Sequence, residues 1–192
     1  MENQEKYKKE KVTIDLVWAN VFGLIMFVPT ILMFGLPYYL IWKDDIQLKD
    51  LFLSHSLWGI WVFLLILVFG IIAHELIHGI VWAIFAKNGF KSIKFGIMWK
   101  MLTPYCHCKE PLKLKLYVLG AIMPAILLGF IPGILAIVVG NMAMLVLGML
   151  FIIAACGDFL IIYALRNEKK DTLVEDHPSE VGCNVYRLVE QV

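Results

Sequence analysis

Residues 74–78 read His-Glu-Leu-Ile-His, the pattern H-E-x-x-H. On a helix, residues four apart share a face and stand about 6 Å apart along the axis. Two imidazoles so placed can reach one zinc ion, and Glu75 between them can act as general base toward the attacking water. The setting sharpens the reading, because "GIIAHELIHGIVWAIF" is otherwise apolar. Each ionisable group in such a run costs several kcal/mol unless it is satisfied, so a polar cluster there points to function. The plainer alternative is a hydrogen-bonded cluster that joins helices.

A zinc hydrolase needs a third protein ligand and an open position. Asp158, in "AACGDFLIIYALR", is the lone carboxylate of the last apolar run. His78 precedes Lys87 by nine residues and Asp158 precedes Arg166 by eight. At ~1.5 Å per residue, both groups then lie roughly 12–14 Å from the same end of their helices. His107, within "YCHC", is the rival. On a strand Cys106 and Cys108 point one way and His107 the other, so three ligands of one site are hard to draw from that tripeptide. His55 reads as a loop residue and His177 as part of a turn before Pro178.

Elements able to position these groups follow from composition. The chain has 192 residues, 60% hydrophobic and 17% charged. Soluble domains average about 45–50% apolar, so a protein embedded in a lipid bilayer is expected. Four runs, near 17–42, 57–86, 116–139 and 142–165, are long enough to cross one. Trp18, Tyr38, Tyr39, Trp42, Trp58, Trp61, Tyr117 and Tyr163 fall near their ends, as interfacial aromatics do. Lysine and arginine divide 15 against 2 between the two sides that four crossings define. The N-terminal arm, the loop 87–115 and the tail are therefore expected in the cytoplasm, in a multi-pass cell-membrane protein. The first run is too long for the core of a signal peptide and is expected to remain as an anchor. Four cysteines (Cys106, Cys108, Cys156 and Cys183) are then expected unpaired. A net charge of +1 gives nucleic acid no purchase.

The organisation expected is an arm at 1–16, a four-span membrane domain at 17–165 and a tail at 166–192. The arm reads as solvated, partly helical or disordered. Within 87–115, "GFKSIKFGIMWK" alternates, and "MLTPYCHC" follows as a second short strand, which predicts a β-hairpin beside the membrane. Pro124 and Pro132 are expected to kink the third run. The fold class is mostly α, with one small hairpin.

The His-Glu-Leu-Ile-His-Gly stretch, the hairpin-like loop after it and the later Gly157-Asp158 resemble the short bacterial membrane proteins described as "putative zincin peptidases". More distantly they resemble the site-2 proteases, over roughly residues 55–165. In site-2 proteases an aspartate on a later span completes the zinc site, usually in an Asn-Pro-x-x-Asp-Gly setting. Asp158 matches that aspartate, while the Asn-Pro is absent here and glycine precedes the aspartate.

The expected protein is a zinc-dependent intramembrane endopeptidase acting on membrane-protein or peptide substrates. His74, His78 and Asp158 hold the metal and Glu75 is catalytic. A metal-ion or proton translocator using the same residues is the rival class. It would need polar residues continuing across the bundle, and 63–72 and 142–155 offer almost none. A pseudoenzyme that binds membrane helices without cutting them is the third.

Overall fold

The computed structural model describes residues 7–46, 57–99, 103–178 and 180–188. Most of the external loop expected at 43–56, His55 included, lies outside the described residues. Among the described residues, four helices are long and apolar enough to cross a membrane: Val17–Trp42, Trp58–Phe85, Leu114–Val139 and Met142–Ala164. Their limits fall within a few residues of the runs read from hydropathy.

Three of the four are interrupted. The first is α1 (Leu16–Thr30), a wide π-turn at Ile31–Gly35, and α2 (Leu36–Trp42). The third is α4 (Leu114–Pro124), a π-turn at Ala125–Phe130, and α5 (Ile131–Val139). In each case a proline, Pro29 or Pro124, closes the α-helix just before the π-turn. Proline has no N–H for the carbonyl one turn earlier and crowds it, so the helix widens there. The fourth is α6 (Met142–Ala154) and α7 (Cys156–Ala164), separated at Ala155. Only α3 (Leu57–Phe85) runs unbroken for 29 residues.

The hairpin is present as β2 (Ile93–Met98) and β3 (Thr103–Cys108), paired antiparallel from Ile93↔Cys108 to Met98↔Thr103. A second sheet was not expected. It has the order β1-β6-β5-β4, built from β1 (Tyr7–Thr13), β4 (Leu112–Lys113), β5 (Leu173–Asp176) and β6 (Gly182–Leu188). The arm read as solvated, partly helical or disordered is thus an edge strand, pairing with β6 from Tyr7↔Leu188 to Thr13↔Gly182. Its lysines suit an exposed edge, since charge there discourages pairing with other chains. Gly182 sits at φ +148°, and a side chain on it would meet Val12 O at 2.2 Å, so glycine is required where the two strands meet.

The chain divides into two compact units. One comprises the described parts of 1–19, 75–123 and 158–192, the other 20–74 and 124–157. In the first unit, a shared core joins the hairpin, the sheet and the helix ends, with Trp82, Cys108, Tyr117, Leu165, Val174, Cys183 and Val185 almost wholly buried. In the second, helices meet at glycines. A Cβ on Gly148 would come within 3.0 Å of the backbone of Gly133 and Gly129, and one on Gly70 within 2.0 Å of Phe151. Small residues let apolar helices approach closely and gain dispersion contacts. Tyr38 and Trp42 add hydrogen bonds to Gly140 O and Ile137 O, both at 2.9 Å.

Candidate metal centre

The motif lies in the C-terminal half of α3. His74 and His78 are buried, Glu75 is half-buried, and Leu76 and Ile80 turn outward. This is the one-sided arrangement that a four-residue spacing dictates, since both imidazoles leave the helix on the same face. Gly79 follows directly. A Cβ there would lie 2.5 Å from the ring of Phe95 and 3.1 Å from Ile93, so its absence lets the hairpin settle against the motif helix.

Asp158 stands in the first turn of α7, just after the break at Ala155. Its Oδ1 lies 3.4 Å from Nε2 of His78. Two ligands at about 2.0–2.1 Å from one tetrahedral zinc stand about 3.3–3.4 Å apart, so this pair already has the right spacing. His74 is held one turn before His78 by α3 itself. The ligand atoms of His74, His78 and Asp158 all lie within 4.8 Å of one another. Two imidazoles and a carboxylate are a donor set suited to zinc, with room for a fourth ligand. They fit the ion.

His78 is oriented from behind. Its Nδ1 donates to the carbonyl of Gly120, at 2.9 Å, so Nε2, which faces Asp158, is the nitrogen that would ligate a metal. A ligating histidine is commonly fixed in this way through its other ring nitrogen. The carbonyl is available for a reason visible in the chain. In a regular helix Gly120 O would accept from residue 124, which is proline and has no N–H. Next along α3, Trp82 stacks on His78 at 5.1 Å and on Tyr117 at 5.3 Å, and its Nε1 donates to Tyr117 O at 3.0 Å. A Cβ on Gly120 would fall 2.0 Å from that Nε1, so glycine is what allows α4 to approach.

Sequence reasoning missed this support of Gly120, Trp82 and Tyr117. The proline four residues after Gly120 was the available signal; Trp82 gave none, and Tyr117, expected at the membrane interface with Tyr38, is instead buried in the protein, as Tyr38 is.

The rivals fall elsewhere. Cys106 and Cys108 are buried and His107 faces the other side of β3, its ring 4.3 Å from that of Tyr105. Burial first, then Lys94 and His177, hold His107 below its ordinary pKa. Among the described residues it joins no group of metal-ligating side chains. Burial first, and then the charge of Glu75, push the Cys106 thiol up, while Cys108 is raised to about 11, so neither is poised as a thiolate. None of the four cysteines is in a disulfide. His177 accepts from the Glu180 N–H at 3.0 Å, in the turn expected of it.

An H-E-x-x-H helix with a carboxylate from a later helix beside it, in a chain with four long apolar helices among its described residues, defines the zincin class of site. The family model described as "putative zincin peptidase" matches residues 66–173, more than half of the chain, and the chain belongs to that family. That description points to a metallopeptidase, and zinc is the metal it implies. No curated protein and no solved structure matches the chain. The more distant likeness to site-2 proteases gains no support from the family match.

Proposed function

We propose that this protein is a zinc-dependent intramembrane endopeptidase that hydrolyses peptide bonds of membrane-associated substrates. The observation that carries the reading is the convergence of His74, His78 and Asp158 within 4.8 Å, with Glu75 on the same helix between the two histidines. The motif itself lies in one of four helices long and apolar enough to cross a membrane. The 15-to-2 division of basic residues favours a cytoplasmic arm, middle loop and tail.

His74, His78 and Asp158 would hold the metal. Bound zinc supplies Lewis acidity, lowering the pKa of water and stabilising negative charge on a carbonyl oxygen. Glu75 accepts the proton of the attacking water and returns it to the leaving amine. Gly120 O holds the proton of His78 on Nδ1, so Nε2 would be the nitrogen offered to the metal. Burial of both histidines strengthens the electrostatics of the site.

A helical peptide bond must be unwound before it is cut, because its backbone groups are paired. The two-stranded hairpin offers edges to which an extended substrate segment can add as a strand.

The test is cleavage of a membrane-helix reporter by purified wild type and Glu75→Gln. Glu75→Gln should retain zinc and lose at least about 100-fold in turnover, the scale of general base catalysis. Cleavage by Glu75→Gln at near the wild-type rate would refute the mechanism.

A further inference from the structure

One carboxylate outside the site touches both structures that serve it. Asp176 ends β5, on the sheet that no part of the proposed chemistry uses. Its Oδ2 accepts from the Cys108 N–H at 2.7 Å, at the last residue of the hairpin. Its Oδ1 accepts from the Tyr117 hydroxyl at 2.5 Å. Tyr117 in turn stacks on Trp82, and Trp82 on His78.

We infer that Asp176 is a positioning residue with two separate tasks: Oδ2 tethers the end of the hairpin, and Oδ1 sets the Tyr117–Trp82–His78 stack behind the metal ligand. The inference rests on the metal-site reading for its second task only.

Chemistry favours a working role over simple packing. Asp176 sits among protein atoms that push its carboxyl up to about 6, despite the hydrogen bonds from Tyr117 and Cys108 that favour its ionised form. A fold needing only to fill this place would be served by an apolar side chain. A carboxylate has two acceptor oxygens at a fixed separation, and here each has a different donor from a different element. The rings transmit position because stacked aromatics in a packed core cannot shift singly. Tyr117 and Cys108 are each at most 1% exposed, so neither donor has water as a substitute partner.

Three variants of the full chain separate the tasks, with two readouts that do not depend on cleavage. One is zinc affinity by chelator competition; the other is the alkylation rate of Cys108, followed by peptide mass spectrometry with N-ethylmaleimide as probe. Asp176→Ala should speed Cys108 alkylation at least about 10-fold and weaken zinc binding about 10-fold, the low end for changes to groups supporting a ligand. Tyr117→Phe keeps the ring and the Cys108 tether. It should weaken zinc about 3- to 10-fold and leave Cys108 as protected as in wild type. Asp176→Asn can satisfy both partners, its oxygen accepting from Cys108 and its amide donating to the Tyr117 hydroxyl, and should restore both readouts to within about 3-fold of wild type.

Wild-type zinc affinity and wild-type alkylation in Asp176→Ala would overturn the assignment. Asp176→Asn failing as badly as Asp176→Ala would also overturn it, since charge and not hydrogen bonding would then be what matters. If Asp176→Ala does not fold, unchanged zinc affinity in Tyr117→Phe overturns the stack's role. Wild type that binds no zinc would sink the functional reading instead, and Cys108 alkylation would still judge the tether.

Discussion

Gly148 and Tyr117 represent two ways of holding apolar helices together. In the second unit, around Gly148, helices meet where side chains are missing, and backbone lies against backbone at Gly129, Gly133 and Gly148. In the first, around Tyr117, they meet where polar atoms need partners: Trp82 on Tyr117 O, His78 on Gly120 O, Asp176 on Tyr117 and Cys108. Close packing of small residues tolerates no added volume, yet it specifies no chemistry. Polar pairing in an apolar setting is costly when incomplete, and it aims side chains. The unit with the polar pairing is the one that orients His78.

Substitutions can break this contrast. The largest effect is expected from Gly148→Leu, whose side chain would press on the Gly133 and Gly129 backbone, atoms that cannot turn aside. Overpacking of this kind costs about 1–3 kcal/mol or more, and folded yield should collapse with zinc binding and activity together. Gly157→Ala is the control, because a Cβ there meets nothing within 4 Å; yield and melting midpoint should match wild type. Gly120→Ala comes next. Its methyl would displace Trp82, whose side chain can move, so the protein should fold yet bind zinc about 10-fold more weakly. Equal loss of yield in Gly120→Ala and Gly148→Leu, measured by size-exclusion chromatography, would erase the distinction between the two regions.

Smaller again is the effect of proline in the hairpin. Phe95→Pro or Ile97→Pro should lower cleavage several-fold with zinc still bound, through loss of a strand edge for substrate. Unchanged cleavage in both would remove the hairpin from substrate binding. Smallest is Arg187→Ala, which removes the exposed pairing of Arg187 with Glu10 and Glu168. Lys8 first, and then Arg187, hold Glu10 below its ordinary pKa. A carboxylate lowered in the folded state stabilises above its unfolded pKa and loses that contribution as pH falls through its folded value. The melting midpoint of Arg187→Ala should therefore match wild type at pH 3 and fall slightly short of it at pH 7. A large loss at pH 7 would make the terminal sheet depend on this pair.

The legible parts of the molecule are those written locally. Four apolar runs, the hairpin's alternation and H-E-x-x-H are each contained in one stretch of chain. That Asp158 lies beside His78 was legible because a lone carboxylate in an apolar run has few explanations, and matched depths placed the two level. What escaped was written across long separations. β1 has little apolar content of its own, and its partner β6 lies at the other end of the chain. Asp176 looks like any residue of a polar tail until Tyr117 and Cys108 are brought to it. The Gly120 carbonyl was half legible: Pro124 announces a free acceptor one turn earlier but does not say which donor will find it.

The central claim is that His74, His78 and Asp158 form one zinc site, and zinc bound per folded chain tests it most directly. Wild type should hold one zinc, and Asp158→Asn, which keeps size and hydrogen bonding but not charge, should release it to a chelator that leaves wild type loaded. His74→Ala and His78→Ala should fail to retain it at all. One tightly held zinc in Asp158→Asn, with wild-type affinity, would contradict the account and pass the third position to another residue.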